Sequence, residues 1–484
     1  MNEEMLNLKP AKVFYYFNEI TKIPHPSKKE AKISEWLEKT GIAMGLPTKR
    51  DHVGNVLISK PATPGKENVT PVIFQAHMDM VCEKNSDCAH DFTKDPIDTY
   101  VDGEWLKARG TTLGGDDGIG VAMGLAVLTS DTIKHPALEC LFTVDEETGL
   151  TGAFQLKDGY LNGRQLINLD SEDDGQIFIG CAGGIDTLAK MHYSPVACPI
   201  ADAFPARIAV SGLMGGHSGD DINKGRGCAN KIIVRFLFEA MKTQGFHLAS
   251  INGGNLRNAI AREAETVFTV AMSEKENLRV CFNQYVAAVE GEIKDVEKDI
   301  CLELESTDIP AAFIPAAQAE KLIRALYACP HGVIAMSKDM PGLVETSTNL
   351  ASIKMREGYV EVNTSQRSSV ESQKHNIKNM VECALAAACD EVTHGDGYPG
   401  WKPNVHSELL EITKQAYIDL YHEEPKVLAI HAGLECGLFL EKYPYLDMVS
   451  VGPQMVGVHS PQERLSISST ERCWKWVCHT LESL

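Results

Sequence analysis

PVIFQAHMD, residues 71–79, is a short apolar run that ends in two polar side chains. Its length and composition predict a buried strand. His77 and Asp79 stand two apart at its end, so the period-two geometry of a strand turns both toward one face.

The segments around it alternate. AKVFYYFNEITKI (11–23) and SKKEAKISEWLEKTGIAMG (27–45) carry apolar residues at helical spacing, while GNVLISK (54–60) reads as a strand. GIGVAMGLAVLTS, from Gly118, reads as a helix, and ALECLFTVDEE (137–147) and QLINLDSED (165–173) read as buried strands ending in acids. Helix and strand in alternation predict an α/β sheet, mostly parallel and flanked by helices.

From about Asp186 the texture changes to alternating strands, ARIAVSGLMGG (206–216), ETVFTVAMS (265–273), NLASIKMRE (349–357) and YVEVNTSQRSS (359–369). Helices such as NKIIVRFLFEAMK (230–242) separate them. After the turn-rich HGDGYPGWKPN (394–404) the first texture resumes with SELLEITKQAYIDLYH (407–422) and YLDMVSVGP (445–453). The expectation is a discontinuous α/β domain, residues 1–186 and 395–484, interrupted by an α+β domain over 187–394.

A chain of 484 residues has room for two cores. Its formal charge of -20, without a basic run, disfavours nucleic acid and anionic membrane as partners. The opening MNEEMLNLKP lacks a basic segment followed by an apolar one, and no segment reaches the roughly 18 apolar residues of a membrane span. A cytoplasmic location follows as an expectation. The 14 cysteines are scattered, with no CxxC pair, and are read as reduced core residues.

The candidate chemistry lies at strand ends. ARGTTLGGDDGIG (108–120) sets Asp116 and Asp117 in a glycine-rich turn before a helix, where backbone can approach an ion closely. VDEETG (144–149) puts Glu146 beside Glu147, so one can bind metal while its neighbour serves a water. Asp170 closes LINLD (166–170), and His459 lies in the loop QMVGVHSP (454–461). Taken singly, these are equally an acidic N-cap, solvated acids and a loop histidine. Taken together, His77, Asp116, Glu147, Asp170 and His459 all fall at or beyond carboxyl ends of predicted strands, where open α/β sheets put their sites. Two imidazoles, three carboxylates and no thiolate suit two Zn²⁺, Mn²⁺ or Co²⁺ ions sharing a carboxylate. Asp79 is then the partner that orients His77.

In order along the chain, HMD, GGDDGIG, DEETG, LDSED and VHSP resemble the co-catalytic zinc peptidases, the family of carboxypeptidase G, aminoacylase-1, tripeptidase T and the carnosinases. IPHPS, HDFTKDPI, GEWLKARGTTLG, CAGGID, HAGLECGLF and YPGW extend the likeness to the family's bacterial dipeptidases over nearly the whole chain. The resemblance implies two zinc ions per subunit, with cobalt or manganese able to substitute. His77 and Asp170 would hold one ion, Glu147 and His459 the other, and Asp116 would bridge them. Glu146 would be the general base toward a water between the ions, and the Asp116–Asp117 peptide would be cis, with Gly114 and Gly115 giving it room.

The inserted domain is similar to the family's lid, often a dimerisation domain, which implies a homodimer formed through it. His217 of GGHSG would stabilise the oxyanion, and Asn255 or Asn258 and Arg367 would hold substrate, Arg367 by pairing with a free α-carboxylate. HAGLECGLF, with Gly433 in a turn and Glu435 beyond it, resembles a loop facing the substrate's carboxyl end. One departure is Ala261, where relatives commonly have proline. The implied activity is hydrolysis of dipeptides with free termini, Xaa-His among them. Rival readings are an N-acyl amino-acid deacylase or another small-peptide exopeptidase on the same fold, a metal-free binding homologue, and a two-metal phosphoesterase.

Overall fold

The structure, a computed structural model, describes residues 3–198 and 200–484. It divides into two units, one of residues 1–180, 403–429 and 434–484, the other of 181–402 and 430–433. The crossing therefore comes earlier than the expected 186/187, and the return later than 394/395. Backbone pairing is the reason. Gly183–His192 is already a strand of the second sheet, and Cys181 pairs with Trp401. The short return at 430–433 is claimed by Ala182, whose N–H lies within hydrogen-bond distance of the carbonyls of Ile430 and Ala432.

The first unit is built on an eight-stranded sheet in the order Thr48–Arg50, Val56–Lys60, Leu138–Thr143, Val72–His77, Gln165–Asn168, Asp447–Ser450, Gln176–Cys181, Lys426–Ile430. The four central strands run parallel. Val72–His77, Leu138–Thr143 and Gln165–Asn168 are buried at every residue, as strands covered on both faces must be. The helix Gly115–Leu128 is buried along its whole length. Asp116 and Asp117 have non-helical backbone angles, so the regular helix begins at Gly118, where the periodicity put it. The Asp116–Asp117 peptide is cis.

The second unit carries an antiparallel sheet in the order Cys301–Ser306, Ala203–Ser211, Ala264–Ala271, His247–Gly253, Val344–Arg356, Tyr359–Ser368, Gly183–His192, Glu391–His394, with Gly332–Met336 added beside Val344–Arg356. Ala203–Ser211 alternates buried and half-buried residues, the signature of a sheet with one face on the core. That face is covered by helices including Ala229–Ala240 and Glu371–Ala386. This is the α+β texture expected of the insert.

Candidate metal centre and anion-binding group

Five candidate ligands converge in the first unit. His77 is the last residue of its strand, Asp170 lies two past Asn168, and Glu147 four past Thr143. Asp116 precedes its helix, and His459 sits at positive φ in a loop. Ligand atoms of His77, Asp116 and Asp170 lie within 4.8 Å of one another, and so do those of Asp116, Glu147 and His459. Asp116 belongs to both groups. Its Oδ1 is 3.0 Å from His77 Nε2, and its Oδ2 is 3.0 Å from His459 Nε2. Asp170 Oδ1 lies 3.4 Å from His77 Nε2, and Glu147 Oε1 3.1 Å from His459 Nε2.

The electrostatics of this cluster are those of acid in excess. Burial raises Asp116, but the bonds from His459 and His77 prevail and hold its carboxyl below the usual range. Bonds to Asp116 and Glu147 push His459 up to about 11. The two imidazoles do not suffice for the rest. Burial first, then carboxylate neighbours, pushes Asp170 up to about 7 and raises Glu146 and Glu147. A cluster with more carboxylates than its histidines can neutralise fits divalent cations, which reverse such shifts. The N/O donor set, free of thiolate, suits zinc, manganese or cobalt.

Asp79 does more than the sequence suggested. The nearer acceptor for His77 Nδ1 is the Asp79 carbonyl at 3.0 Å, whereas its carboxylate is 3.4 Å away. That carboxylate accepts from Ser27 Oγ (2.8 Å) and from the backbone N–H groups of Glu146 (3.0 Å) and Glu147 (3.3 Å). One acid thereby fixes the turn that presents both glutamates. Glu435 is more enclosed than the other candidates. It opens the helix Glu435–Lys442 with no exposed surface, and Oε2 accepts from Gln75 Nε2 (2.6 Å) and Thr143 Oγ1 (2.7 Å). Burial pushes this carboxyl up to about 8, and its two bonds tie the strands of Gln75 and Thr143 to the helix.

Glu463 escaped notice. It is buried, and its carboxylate accepts from the N–H groups of Leu113 (2.8 Å), Gly114 (3.3 Å) and Gly115 (2.8 Å), clamping the turn that leads into Asp116. In the sequence it is one acid in a polar loop, four residues after His459. Nothing local distinguishes it from a solvated side chain.

In the second unit Arg367 is almost buried, and its Nη2 lies 3.5 Å from His217 Nε2. His217 Nδ1 is 3.1 Å from Asp220 Oδ2. Of the two asparagines, Asn258 lines a cavity of about 320 Å³ together with Arg367, whereas Asn255 lines a different one. Gly433 packs under the ring of Tyr398, a residue not singled out beforehand.

A family model described as peptidase family M20/M25/M40 matches residues 73–483. The chain is 42% identical over 481 residues to the cytosol non-specific dipeptidase of Escherichia coli strain K12, covering 99% of each. It superposes on the crystal structure of aminoacylhistidine dipeptidase from Vibrio alginolyticus with a TM-score of 0.95 and 42% identity, over 99% of this chain and 98% of that one. Aminopeptidase PepT from Bacillus cereus shares the fold, at a TM-score of 0.58 and 16% identity over 98% of this chain and 99% of the other. The chain belongs to peptidase family M20/M25/M40.

Proposed function

We propose that the protein hydrolyses dipeptides with free termini, Xaa-His dipeptides included, as a two-zinc enzyme of the cytosol. The observation that carries the proposal is Asp116, whose two carboxylate oxygens each stand 3.0 Å from a different histidine. A carboxylate so placed would be shared by two cations, with His77 and Asp170 holding one and Glu147 and His459 the other. A cation pair held there supplies Lewis acidity, which lowers the pKa of a water and withdraws charge from a peptide carbonyl.

The chain's own residues do the remainder. Glu146 is the general base that takes the proton from water and returns it to the leaving amine. Burial raises this carboxyl, and a base with a raised pKa is better able to hold the proton until the amine leaves. Asp79 holds His77 by its carbonyl and the Glu146–Glu147 backbone by its carboxylate. Arg367 pairs with the free α-carboxylate, Asn258 assists it, and His217 donates to the oxyanion. A homodimer through the lid is proposed on the family likeness. The location rests on the name of the E. coli relative and on buried thiols such as Cys140 and Cys473; no described helix is long and apolar enough to cross a membrane.

The test is a panel of Ala-His, Gly-Gly and N-acetyl amino acids, assayed after chelation and reconstitution with Zn²⁺, Mn²⁺ or Co²⁺. Cleavage of the dipeptides restored by metal is expected. Turnover of N-acetyl amino acids in preference to them would replace the proposal with the deacylase reading.

A further inference from the structure

Arg367 sits near the end of the strand Tyr359–Ser368, in register with Gly184 on one neighbour and Ser347 on the other. Its guanidinium is used unevenly. Nη1 donates to the Tyr398 hydroxyl at 3.1 Å, Nη2 lies 3.5 Å from His217 Nε2, and Nε, although buried, has no partner. In a guanidinium, Nη1 is the nitrogen on the Cδ side. Nε–H and Nη2–H form the opposite edge, two parallel donors spaced to match the two oxygens of a carboxylate. Tyr398 therefore engages the back of the group and leaves the matching edge open.

Tyr398 is itself locked. Its N–H donates to the Gly184 carbonyl (2.9 Å), and its own carbonyl accepts from Gly184 N–H (3.1 Å) and from the buried Lys374 Nζ (2.6 Å). Its ring fills space that only glycine leaves. A Cβ at Gly184 would come within 2.7 Å of the ring Cζ, and one at Gly433 within 2.8 Å of Cε2. Burial keeps the phenol neutral by raising its pKa, although Arg367 opposes this. A neutral acceptor orients the guanidinium without cancelling its charge, whereas a carboxylate in the same position would compete with the substrate's.

We infer that Tyr398 is a positioning residue for dipeptide recognition: by accepting from Nη1 it holds Arg367 so that the Nε and Nη2 edge meets a free α-carboxylate. The inference rests on the proposed role of Arg367 as carboxylate anchor. It also gives Gly184 and Gly433 a function, as the floor that admits the tyrosine ring.

Steady-state kinetics of the zinc-loaded wild type, Tyr398→Phe and Arg367→Ala test it, on a dipeptide and on the same dipeptide as its C-terminal amide. Phenylalanine keeps the ring and removes only the acceptor. Tyr398→Phe is expected to raise KM for the free dipeptide about tenfold, to keep kcat within about twofold, and to leave the amide's KM, or its Ki where the amide is not cleaved, unmoved. An equal loss on dipeptide and amide, or a fall in kcat without a rise in KM, would mean a structural role and overturn the inference. An unchanged KM in Tyr398→Phe beside a raised one in Arg367→Ala overturns the inference alone. A silent Arg367→Ala overturns the anchor reading and the inference with it.

Discussion

The two groups of functional candidates are built by opposite means. In the first unit the donors sit at the ends of buried parallel strands, and the groups that steady them, Asp79, Glu435 and Glu463, are acids deep inside the fold. In the second unit Arg367 rides a strand of an antiparallel sheet and is steadied by a neutral phenol and an imidazole. The first region concentrates negative charge that calls for cations; the second keeps a positive charge whose buried Nε has no partner. On the proposed reading, chemistry and recognition are separable by charge sign. Removing a group from one region should change a different observable from removing a group from the other.

The largest effect expected is that of Glu146→Ala, a loss of about 10³-fold in kcat with metal content unchanged by elemental analysis. Loss of metal together with activity would move Glu146 from base to ligand and blur the contrast. Arg367→Ala comes next. KM for unblocked dipeptides should rise about 10- to 100-fold, with bound metal again unaffected, because a bidentate charge-assisted pair is lost at the recognition end only. A variant that instead lost kcat while keeping KM would show that the second region takes part in the chemical step.

The regions should also differ in their response to acid. His431, in the second unit, donates or accepts at Ser347 Oγ (2.7 Å), and burial, with Arg367 adding to it, pushes its pKa down to about 4. Asp220 acts against this shift and His217 with it. The unfolded chain takes up the proton near pH 6.5 while the folded unit resists until about 4, so stability is lost as pH falls between those values, by about 3 kcal/mol in full. Denaturation or hydrogen exchange of the second unit between pH 7 and 4 should show this slope in the wild type and a flatter one in His431→Asn. Equal slopes would remove His431 from the account.

What could be read from the residues follows the same division. Strands such as 72–77 and 165–168 were legible because continuous burial writes itself as an unbroken apolar run, and an acid at the end of such a run stands out. The convergence of the five candidate ligands was legible for that reason and through motif order. The supporting groups were not. Glu463 meets Leu113 from 350 residues away in sequence, and Glu435 meets Gln75 from 360. No local pattern encodes such a contact. Glu435 was placed by resemblance alone, and its enclosure comes from strands elsewhere in the chain. Tyr398, in a turn-rich stretch, gained meaning only when the register put Gly184 beside Arg367. The domain limits shifted because backbone pairing at Cys181 and Trp401 leaves no mark on composition.

The smallest effect tests the deepest part of the contrast, that the metal end is held by buried acid. In Glu463→Gln one carboxylate oxygen becomes an NH₂ group, which turns a donor toward either Leu113 N–H or Gly115 N–H, both now accepted at 2.8 Å. The lost bond and the opposed donors cost about 1–3 kcal/mol locally, and the turn that carries Asp116 is the part free to relax. Because Asp116 is shared by both ligand groups, zinc affinity measured against a competing chelator should fall about tenfold at both sites together, the scale seen when supporting groups of metal ligands are removed. KM in the fully loaded enzyme should stay within about twofold, since Arg367 and Tyr398 are untouched. Weakening confined to one of the two sites would mean that the clamp serves His459, its neighbour in sequence, and that Asp116 is positioned by its own helix alone.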